Sequence, residues 1–521
     1  MEQIKKFLKN INPRDYQKAI YETCKKKNCL VVLPTGTGKT LIALLLTIHR
    51  LCKFPDEKVV FMAPTRPLAE QHLDYFKKHL PELFATMELF TGKTPSSKRK
   101  KLWQSAEIIF STPQCINNDV RKNLYSLNDV ALLIVDECHR SLKNYAYTHV
   151  AKKYTTQSRN PRILGLTASP GHEKKKIRLI CDNLDIDAVE IRTRQSDDVK
   201  QYLQELKFNT IKVQFPPEFL EIKTLLKKMY DLKVEELKRR KLLFGPANKR
   251  TLLETQHKIM RALSSGNKNF NLLLGASACA QTIKLQHAIE LLETQTLSSF
   301  ENYLENLKDQ ARLEKSKAVQ RIVKQPEFNL AYLKTRRLIT KEEEHPKLVK
   351  LTKLVEEEIS KDPRIKMIVF AQFRDTVTKI SKELNKIPEV NARVFVGQAI
   401  KKGKEKTGLS QKEQKAVIHE FSLGKINILC STSIGEEGLD IPEVNAVVFY
   451  EPIPSAIRQI QRRGRTARLQ KGKLVVLITK GTRDEAYHWA AFHKEKKMHR
   501  ILDNLKDEME NNINTDTQKR L

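Results

Sequence analysis

The sequence predicts an α/β protein in which two parallel-sheet domains flank a helical domain. In two parts of the 521-residue chain, short apolar runs alternate with amphipathic stretches, a pattern typical of βαβ units. In the part between them, apolar residues recur at helical spacing instead. A chain of this length also exceeds a single hydrophobic core, so two or three domains are expected.

The first α/β domain is predicted over residues 1–198 and the second over residues 345–505. Apolar runs in the first domain predict buried strands at 29–33, 59–62, 107–110, 131–135 and 162–166. Runs of the same kind in the second domain predict strands at 367–370, 392–396, 426–430, 446–449 and 474–478.

The helical insertion is predicted over residues 199–344. One of its faces carries Ile222, Met229 and Leu232 at helical spacing, and another carries Leu285 and Leu292. The positive charge of the insertion is only in proportion to its length. Charge therefore does not distinguish a nucleic-acid-binding domain from a plain spacer, and both interpretations remain. The polar residues 506–521 are expected to form a flexible tail.

The charge balance favours a polyanionic partner. Lysine and arginine number 95 against 61 acidic residues, which gives a net charge of +34. A field of this sign and size attracts nucleic acid, the commonest cellular polyanion. Charge alone leaves open a lysine-rich surface that has no specific partner.

Cysteine usage and hydropathy indicate a protein of the reducing cytoplasm. The eight cysteines form no CxxC pair and no metal-ligand spacing, so no zinc site is expected. The N-terminus has no apolar stretch of the signal-peptide kind, and no run approaches the length of a membrane span. We expect a soluble protein, associated with a prokaryotic nucleoid and without a membrane partner.

A glycine-rich loop between a predicted strand and a predicted helix carries the first chemical signal. Glycines at this spacing let backbone N–H groups surround phosphates, while the lysine reaches the β and γ phosphates. The loop opens with Leu33, where glycine or alanine is usual. The residues expected to bind ATP are Gly36, Thr37, Gly38, Lys39 and Thr40.

An acidic pair follows the strand at 131–135. At the carboxyl end of a strand beside a phosphate loop, Asp136 is suited to binding Mg²⁺ together with the Thr40 hydroxyl, and Glu137 to polarising the attacking water. An isolated acidic pair in this position would more often cap a helix. The phosphate loop makes the catalytic interpretation the stronger one.

An arginine-rich segment at 461–468 is the third signal. By default, four arginines in eight residues form a solvated face or a grip on phosphates. In a second α/β domain that faces a phosphate loop, some of them are expected to stabilise charge on the γ phosphate, because guanidinium has a fixed charge and forked donors.

These segments resemble, in order, the motifs of superfamily 2 helicases of the DEAD/DEAH-like kind, and the resemblance covers nearly the whole chain. It implies two RecA-like domains with ATP at their shared cleft. It implies that Gln17 reads the adenine, that 167–169 couples hydrolysis to movement, and that Gly438 and Asp440 lie near the nucleotide. Gln461, Arg465 and Arg468 would then face the γ phosphate. The residues that it implies for the nucleic-acid backbone are Arg66, Thr91, Gly92, Thr112, Arg374 and Thr432.

Four further segments resemble more narrowly the archaeal Hef helicase–nuclease and the Fanconi anaemia M-type (Mph) translocases. These segments are 144–147, 167–171, 408–414 and 480–487. The resemblance implies that the insertion recognises branched DNA. Cys138 stands where the Hef group has alanine, a form familiar from Dicer and the antiviral RNA sensors. A nuclease signature is absent, so a separate nuclease or a sliding clamp is the protein partner that the resemblance suggests.

The sequence therefore predicts an ATP- and Mg²⁺-dependent DNA helicase or translocase of 3′-to-5′ polarity. Its expected substrate is forked or branched DNA in replication-fork repair and recombination. Two alternatives remain. One is an ATPase stimulated by duplex RNA, and the other is a non-enzymatic clamp on branched DNA, which would have no use for Lys39, Asp136 and Glu137 together.

Overall fold

The structure, a computed structural model, describes residues 2–266, 269–397, 408–432, 441–453, 455 and 472–518, without the side chains of residues 3 and 510–518. It contains two parallel sheets and a helical bundle. Among the helices in these ranges, none is long and apolar enough to cross a membrane.

The first sheet has seven strands in the order β3-β4-β2-β5-β6-β1-β7, all of them parallel. The strands are β1 (Cys29–Val32), β2 (Lys58–Met62), β3 (Met87–Phe90), β4 (Ile108–Ser111), β5 (Val130–Asp136), β6 (Ile163–Thr167) and β7 (Ala188–Ile191). The five predicted strands are present. The two additional strands, β3 and β7, lie at the edges of the sheet. An edge strand is less buried than a central one and needs fewer apolar residues.

Among the described residues, nine helices accompany this sheet. They are α1 (Glu2–Lys5), α2 (Asp15–Lys26), α3 (Lys39–Lys53), α4 (Arg66–His79), α5 (Ser96–Ser105), α6 (Pro113–Arg121), α7 (Ala146–Gln157), α8 (Lys174–Asn183) and α9 (Asp197–Lys200). A short 3₁₀ helix spans Cys138–Arg140. All residues of β1, β5 and β6 are buried, as expected when helices cover both faces of a parallel sheet.

In the ranges that the structure describes, the second sheet has six parallel strands in the order β10-β11-β9-β12-β13-β8. They are β8 (Leu206–Val213), β9 (Met367–Phe370), β10 (Ala392–Phe395), β11 (Ile428–Ser431), β12 (Ala446–Phe449) and β13 (Gly472–Thr479). Helices α16 (Pro346–Lys361), α17 (Arg374–Leu384), α18 (Gln411–Ser422) and α19 (Arg483–Gln518) accompany the sheet.

Strand β8 corrects the predicted start of the insertion at 199. It pairs with β13 along its whole length, from Leu206 beside Gly472 to Val213 beside Thr479. The strand is therefore part of the second sheet although it precedes the insertion in sequence. It lies at an edge and is mostly exposed, so its charged and polar residues give little apolar signal.

The insertion itself is a helical bundle that begins at Pro217. Its helices are α10 (Pro217–Arg239), α11 (Lys249–Ser264), α12 (Phe270–Thr294), α13 (Leu297–Arg312), α14 (Lys317–Val323) and α15 (Pro326–Thr340). Ile222, Met229, Leu285 and Leu292 meet in its core, as their spacing predicts. Leu232 does not, because it lies on the outer side of α10 and is 52% exposed.

Helix α19 begins in the second domain and ends on the first. Met498, Leu502 and Leu505 of this helix are buried in a core cluster of the first domain. Glu508 pairs with Lys174 and Arg178 of α8, both at 2.7 Å. The flexible tail expected from residue 506 is thus wrong for its first residues, because these contacts hold the helix against the first domain.

Candidate nucleotide and nucleic-acid site

The phosphate loop connects β1 to α3 and uses two glycines in the left-handed region. Gly36 has φ of 82° and Gly38 has φ of 80°, conformations that L-residues rarely adopt. A Cβ on Gly38 would lie 2.3 Å from Gln17 Nε2, so this position also lacks room for a side chain. The loop conformation therefore depends on glycine, above all at Gly38.

Helix α2 holds the loop from one side. The Tyr16 hydroxyl donates to the Thr37 carbonyl at 2.6 Å, and Gln17 Nε2 donates to the same oxygen at 3.0 Å. Inside the loop, Thr37 Oγ1 donates to the Pro34 carbonyl at 2.6 Å. Because Tyr16, Gln17 and Thr37 are buried, these bonds fix the loop firmly against α2.

Lys39 lies within the curve of the loop. Its ammonium donates to the carbonyls of Leu33 at 3.0 Å and Pro34 at 3.3 Å. Thr40, in the first turn of α3, is half-buried. The Leu33 N–H donates to the Thr167 carbonyl at 3.1 Å, which ties the loop to the end of β6. A lysine and a hydroxyl thus stand at a helix N-terminus, a setting that suits phosphate groups.

Asp136 ends β5 in a buried setting that favours its ionised form. Its Oδ2 lies 3.0 Å from His72 Nε2. Burial raises the pKa of Asp136, but the hydrogen bond from His72 and the charges of His72 and Lys39 more than offset this, so the pKa lies below its ordinary value. The Tyr147 hydroxyl fixes the backbone by donating to the Asp136 carbonyl at 2.7 Å. An ionised, buried carboxylate beside a phosphate loop is chemically suited to Mg²⁺.

Glu137 has a left-handed backbone conformation with φ of 48°. For an L-residue this costs roughly 1–2 kcal/mol, so the surrounding structure must hold it. Its buried Oε2 has no hydrogen-bond partner among the described residues, although His139 Nδ1 lies 3.2 Å away. The same His139 nitrogen is 3.2 Å from Thr167 Oγ1. The Glu137 oxygen is therefore placed to accept a hydrogen bond from a water molecule.

Cys138 fills a narrow space behind the acidic pair. Its Sγ would lie 3.3 Å from a Cβ on Gly165 of β6, so the two residues are packed closely. Burial raises the pKa of the Cys138 thiol well above its ordinary value. Cys138 therefore acts as a small apolar group. Cysteine in place of alanine at this position should have little chemical effect.

Four residues expected to contact nucleic acid lie at the carboxyl ends of neighbouring strands. Thr91 and Gly92 follow β3, Thr112 follows β4, and Arg66 opens α4 after β2. Because β3, β4 and β2 are adjacent and parallel, these residues lie at one edge of the sheet. Gly92 is exposed, Thr112 and Arg66 are half-buried, and Thr91 is buried.

The second sheet has an equivalent pair. Arg374 opens α17 after β9, and Thr432 follows the neighbouring strand β11. The Arg374 guanidinium donates to the Gly397 carbonyl at 2.7 Å, and Thr432 is buried. Five other predicted site residues lie outside the described part of the chain: Gly438, Asp440, Gln461, Arg465 and Arg468.

The chain matches three known families along its length. Residues 14–177 match the DEAD/DEAH box helicase family, and residues 347–470 match the helicase conserved C-terminal domain. Residues 218–345 match the family described as "Putative ATP-dependent RNA helicase, helical bundle", which coincides with α10–α15.

A solved structure decides the family. The crystal structure of the Pyrococcus furiosus Hef helicase domain is 40% identical to this chain, with 92% of this chain and 98% of that domain covered and a TM-score of 0.71. The chain belongs to the Hef/Mph type of superfamily 2 helicases. Its two RecA-like domains and the helical domain between them form the helicase fold of this family.

Curated relatives of this family are longer than the chain. The "Putative ATP-dependent RNA helicase" of Methanocaldococcus jannaschii is 39% identical over 95% of this chain. The ATP-dependent DNA helicase fml1 of Schizosaccharomyces pombe is 32% identical, also over 95% of this chain. The chain spans only 61% and 60% of the lengths of these two relatives.

Several residues of this site are not predictable from the sequence. His72 pairs with Asp136 from the second turn of α4, and Tyr147 holds the Asp136 carbonyl from α7. On the side where nucleic acid is expected, Glu70 of α4 contacts both Arg66 at 2.6 Å and Lys415 of α18 at 3.0 Å. No local pattern identifies His72 or Lys415, because the pairing depends on segments brought together only by the fold.

Proposed function

We propose that this chain is an ATP-driven DNA motor that acts on forked or branched DNA with 3′-to-5′ polarity. The observation that carries the proposal is the position of the phosphate loop and the acidic pair. They stand at the carboxyl ends of β1 and β5, on either side of β6, within hydrogen-bonding networks that meet at Thr167. A clamp without catalysis would not need a lysine and two carboxylates in this arrangement.

We assign the steps of hydrolysis to the chain's own residues. Lys39 and the N–H groups of the loop bind the β and γ phosphates, and Gln17 contacts the adenine. Glu137 orients the attacking water and accepts its proton. Asp136 and Thr40 would hold Mg²⁺, which, when bound, supplies positive charge to the phosphates.

The DNA backbone crosses the carboxyl edges of both sheets. In the first domain we assign phosphate contacts to Arg66, Thr91, Gly92 and Thr112, and in the second to Arg374 and Thr432. Arg66 supports this assignment because its Nη1 is buried without a hydrogen-bond partner in the described part of the chain. The Arg66 Nε donates a hydrogen bond to Glu70, and this bond already fixes the orientation of the guanidinium group.

The insertion supplies the preference for branched DNA. It is fixed to the second domain next to Arg374, because Thr376 Oγ1 of α17 donates to Gln295 Oε1 at 2.8 Å and lies 3.0 Å from Ser299 Oγ. All three side chains are buried, so the bundle and α17 are in rigid contact. A duplex arm held by the bundle would therefore keep a fixed position relative to the strand at Arg374.

Duplex RNA is the second candidate substrate. The helical-bundle family and the Methanocaldococcus relative both carry RNA helicase in their descriptions, whereas the fungal relatives are described as DNA helicases. The Hef-type match over nearly the whole chain and the DNA helicase relatives favour DNA.

Parallel ATPase measurements separate these candidates. ATP turnover is measured with forked DNA, linear duplex DNA and duplex RNA of matched length and sequence. The proposal predicts that forked DNA gives the highest ATP turnover. It also predicts that forked DNA stimulates turnover at a lower concentration than the other two nucleic acids do. Stronger stimulation by duplex RNA would favour the second candidate, and binding without any turnover would indicate a clamp.

A further inference from the structure

Helix α19 contacts the strand end that links the two halves of the ATP site. Its residue Met498 is fully buried in the core of the first domain. Ser169 Oγ donates a hydrogen bond to Met498 Sδ at 2.9 Å, and Ser169 is itself only 1% exposed. Ser169 follows β6, which lies between the strand of the phosphate loop and the strand of Asp136.

From Ser169 a continuous set of contacts leads to Glu137. The Ser169 N–H donates to Thr167 Oγ1 at 3.1 Å, and Thr167 Oγ1 lies 3.2 Å from His139 Nδ1. His139 Nδ1 is in turn 3.2 Å from Glu137 Oε2. The Thr167 carbonyl also accepts the Leu33 N–H of the phosphate loop. A shift of Ser169 would therefore reach both the carboxylate and the loop.

The other end of the helix is anchored in the second domain. Asp484 Oδ2 lies 2.8 Å from Lys347 Nζ, with both side chains 0% exposed, and it accepts the Thr479 N–H at 3.0 Å. Asp484 and Met498 lie on one unbroken helix, which separates them by roughly 21 Å at 1.5 Å per residue. One helix therefore connects the anchor at Asp484 in the second domain with the contact at Ser169 in the first.

We propose that Met498 is a positioning residue for ATP hydrolysis, through which the second domain sets the arrangement around Glu137. The thioether is the acceptor for a buried hydroxyl, and loss of the acceptor leaves Ser169 Oγ unpaired in the core. Ser169 then shifts, and His139 and Glu137 shift with it. This inference rests on the proposed role of Glu137 in orienting water.

Two volume-conserving exchanges on the same helix test the inference. Met498→Leu removes the sulfur acceptor, whereas Leu502→Met makes the reverse exchange one turn further along, in the same core cluster and also at 0% exposure. The kcat and KM for ATP with saturating forked DNA, and the melting temperature, are measured for both variants. Ser169→Ala and the double variant Ser169→Ala/Met498→Leu are added to complete a double-mutant cycle.

Met498→Leu is expected to lower kcat about tenfold with KM within about twofold, since small displacements of reacting groups have effects of this order. The double variant should be no slower than Met498→Leu, because both changes remove the same contact. Leu502→Met should keep the wild-type kcat. A wild-type kcat in Met498→Leu, or the same loss in Leu502→Met, would overturn the inference. Glu137→Gln is measured alongside, and undiminished turnover there would instead refute the proposed function.

Discussion

The site depends at the residue scale on a few close contacts that tolerate little change. The buried pair of Asp136 and His72 keeps a carboxylate ionised beside Lys39. Around the loop, Tyr16 and Gln17 share the Thr37 carbonyl as acceptor, and Gln17 occupies the space next to Gly38. The residues to which we assign ATP binding are thus positioned by neighbours that come from different elements.

We predict that Gly38→Ala abolishes tight ATP binding. The added Cβ would meet Gln17 Nε2 at 2.3 Å and would force a left-handed conformation on alanine. Gly424→Ala is the matched control, because Gly424 also has positive φ, of 77°, but open space around it. Each variant should lose about 1–2 kcal/mol of folding stability from backbone strain. In a titration with a fluorescent ATP analogue, only Gly38→Ala should lose affinity, and wild-type affinity there would refute the account of the loop.

Motif residues were predictable from the sequence because each motif is contiguous and has its own strand–loop context. Lys39 and Asp136 follow apolar runs, and in the structure these runs are β1 and β5 of one sheet, with β6 between them. His72 and Met498 were not predictable in this way. Each acts on a residue more than 60 positions away, and local periodicity carries no information about such contacts.

At the scale of elements, the two sheets were predictable and the limits of the insertion were not. Central strands such as β5 and β9 are wholly buried and read as apolar runs. β8 lies at a sheet edge, with four consecutive exposed residues, so its sequence pattern does not predict a strand. An edge strand needs apolar residues only where it meets the core, so its pattern resembles that of a polar linker.

The insertion has a group of exposed basic residues to which we assign the contact with a duplex arm. Lys238, Arg239 and Lys241 are exposed at the end of α10 and just beyond it. Arg240, between them in sequence, is half-buried and hydrogen-bonded to Glu236 and Asn271. Lys249 and Arg250 also face outward, paired with Glu290 and Glu254.

We predict that charge reversal at Lys238, Arg239 and Lys241 removes the preference for forked over linear DNA. Glutamate at these exposed positions should repel the phosphates of the arm without disturbing the buried contacts of the insertion with α17. The control reverses three exposed lysines of the first domain: Lys122, Lys152 and Lys153.

Affinities for fork and linear duplex are compared by fluorescence anisotropy at one salt concentration. The ratio of the two affinities should approach one in the insertion variant and stay at the wild-type value in the control. An unchanged fork preference in the insertion variant would assign branch recognition to the motor domains.

At the scale of the whole molecule, two sets of contacts join the two α/β domains within the part of the chain that the structure describes. On the side of the proposed nucleic-acid path, Glu70 of the first domain contacts Lys415 of the second at 3.0 Å. On the opposite side, α19 extends from the second domain into the core of the first. The chain carries a net charge of +34, which favours long-range association with a polyanion such as DNA.

We predict that DNA binding weakens steeply with salt. A chain that neutralises about six phosphates should give a log–log slope of affinity against salt of about −5 on duplex DNA and about −4 on single strands. Arg66→Ala and Arg374→Ala should each reduce the slope by about one, because each removes one phosphate contact. Affinity that does not change between low and physiological salt would contradict a grip on the backbone.

Turnover of ATP by Glu137→Gln tests the central claim most directly. Wild type should hydrolyse ATP faster when DNA is added. Glu137→Gln should bind ATP with nearly wild-type affinity and lose about 10²-fold or more in turnover, because the amide keeps the shape of the carboxylate but cannot accept the proton. Lys39→Ala, measured with it, should lose both binding and turnover. DNA-stimulated turnover within about twofold of wild type in purified Glu137→Gln would contradict the catalytic assignment.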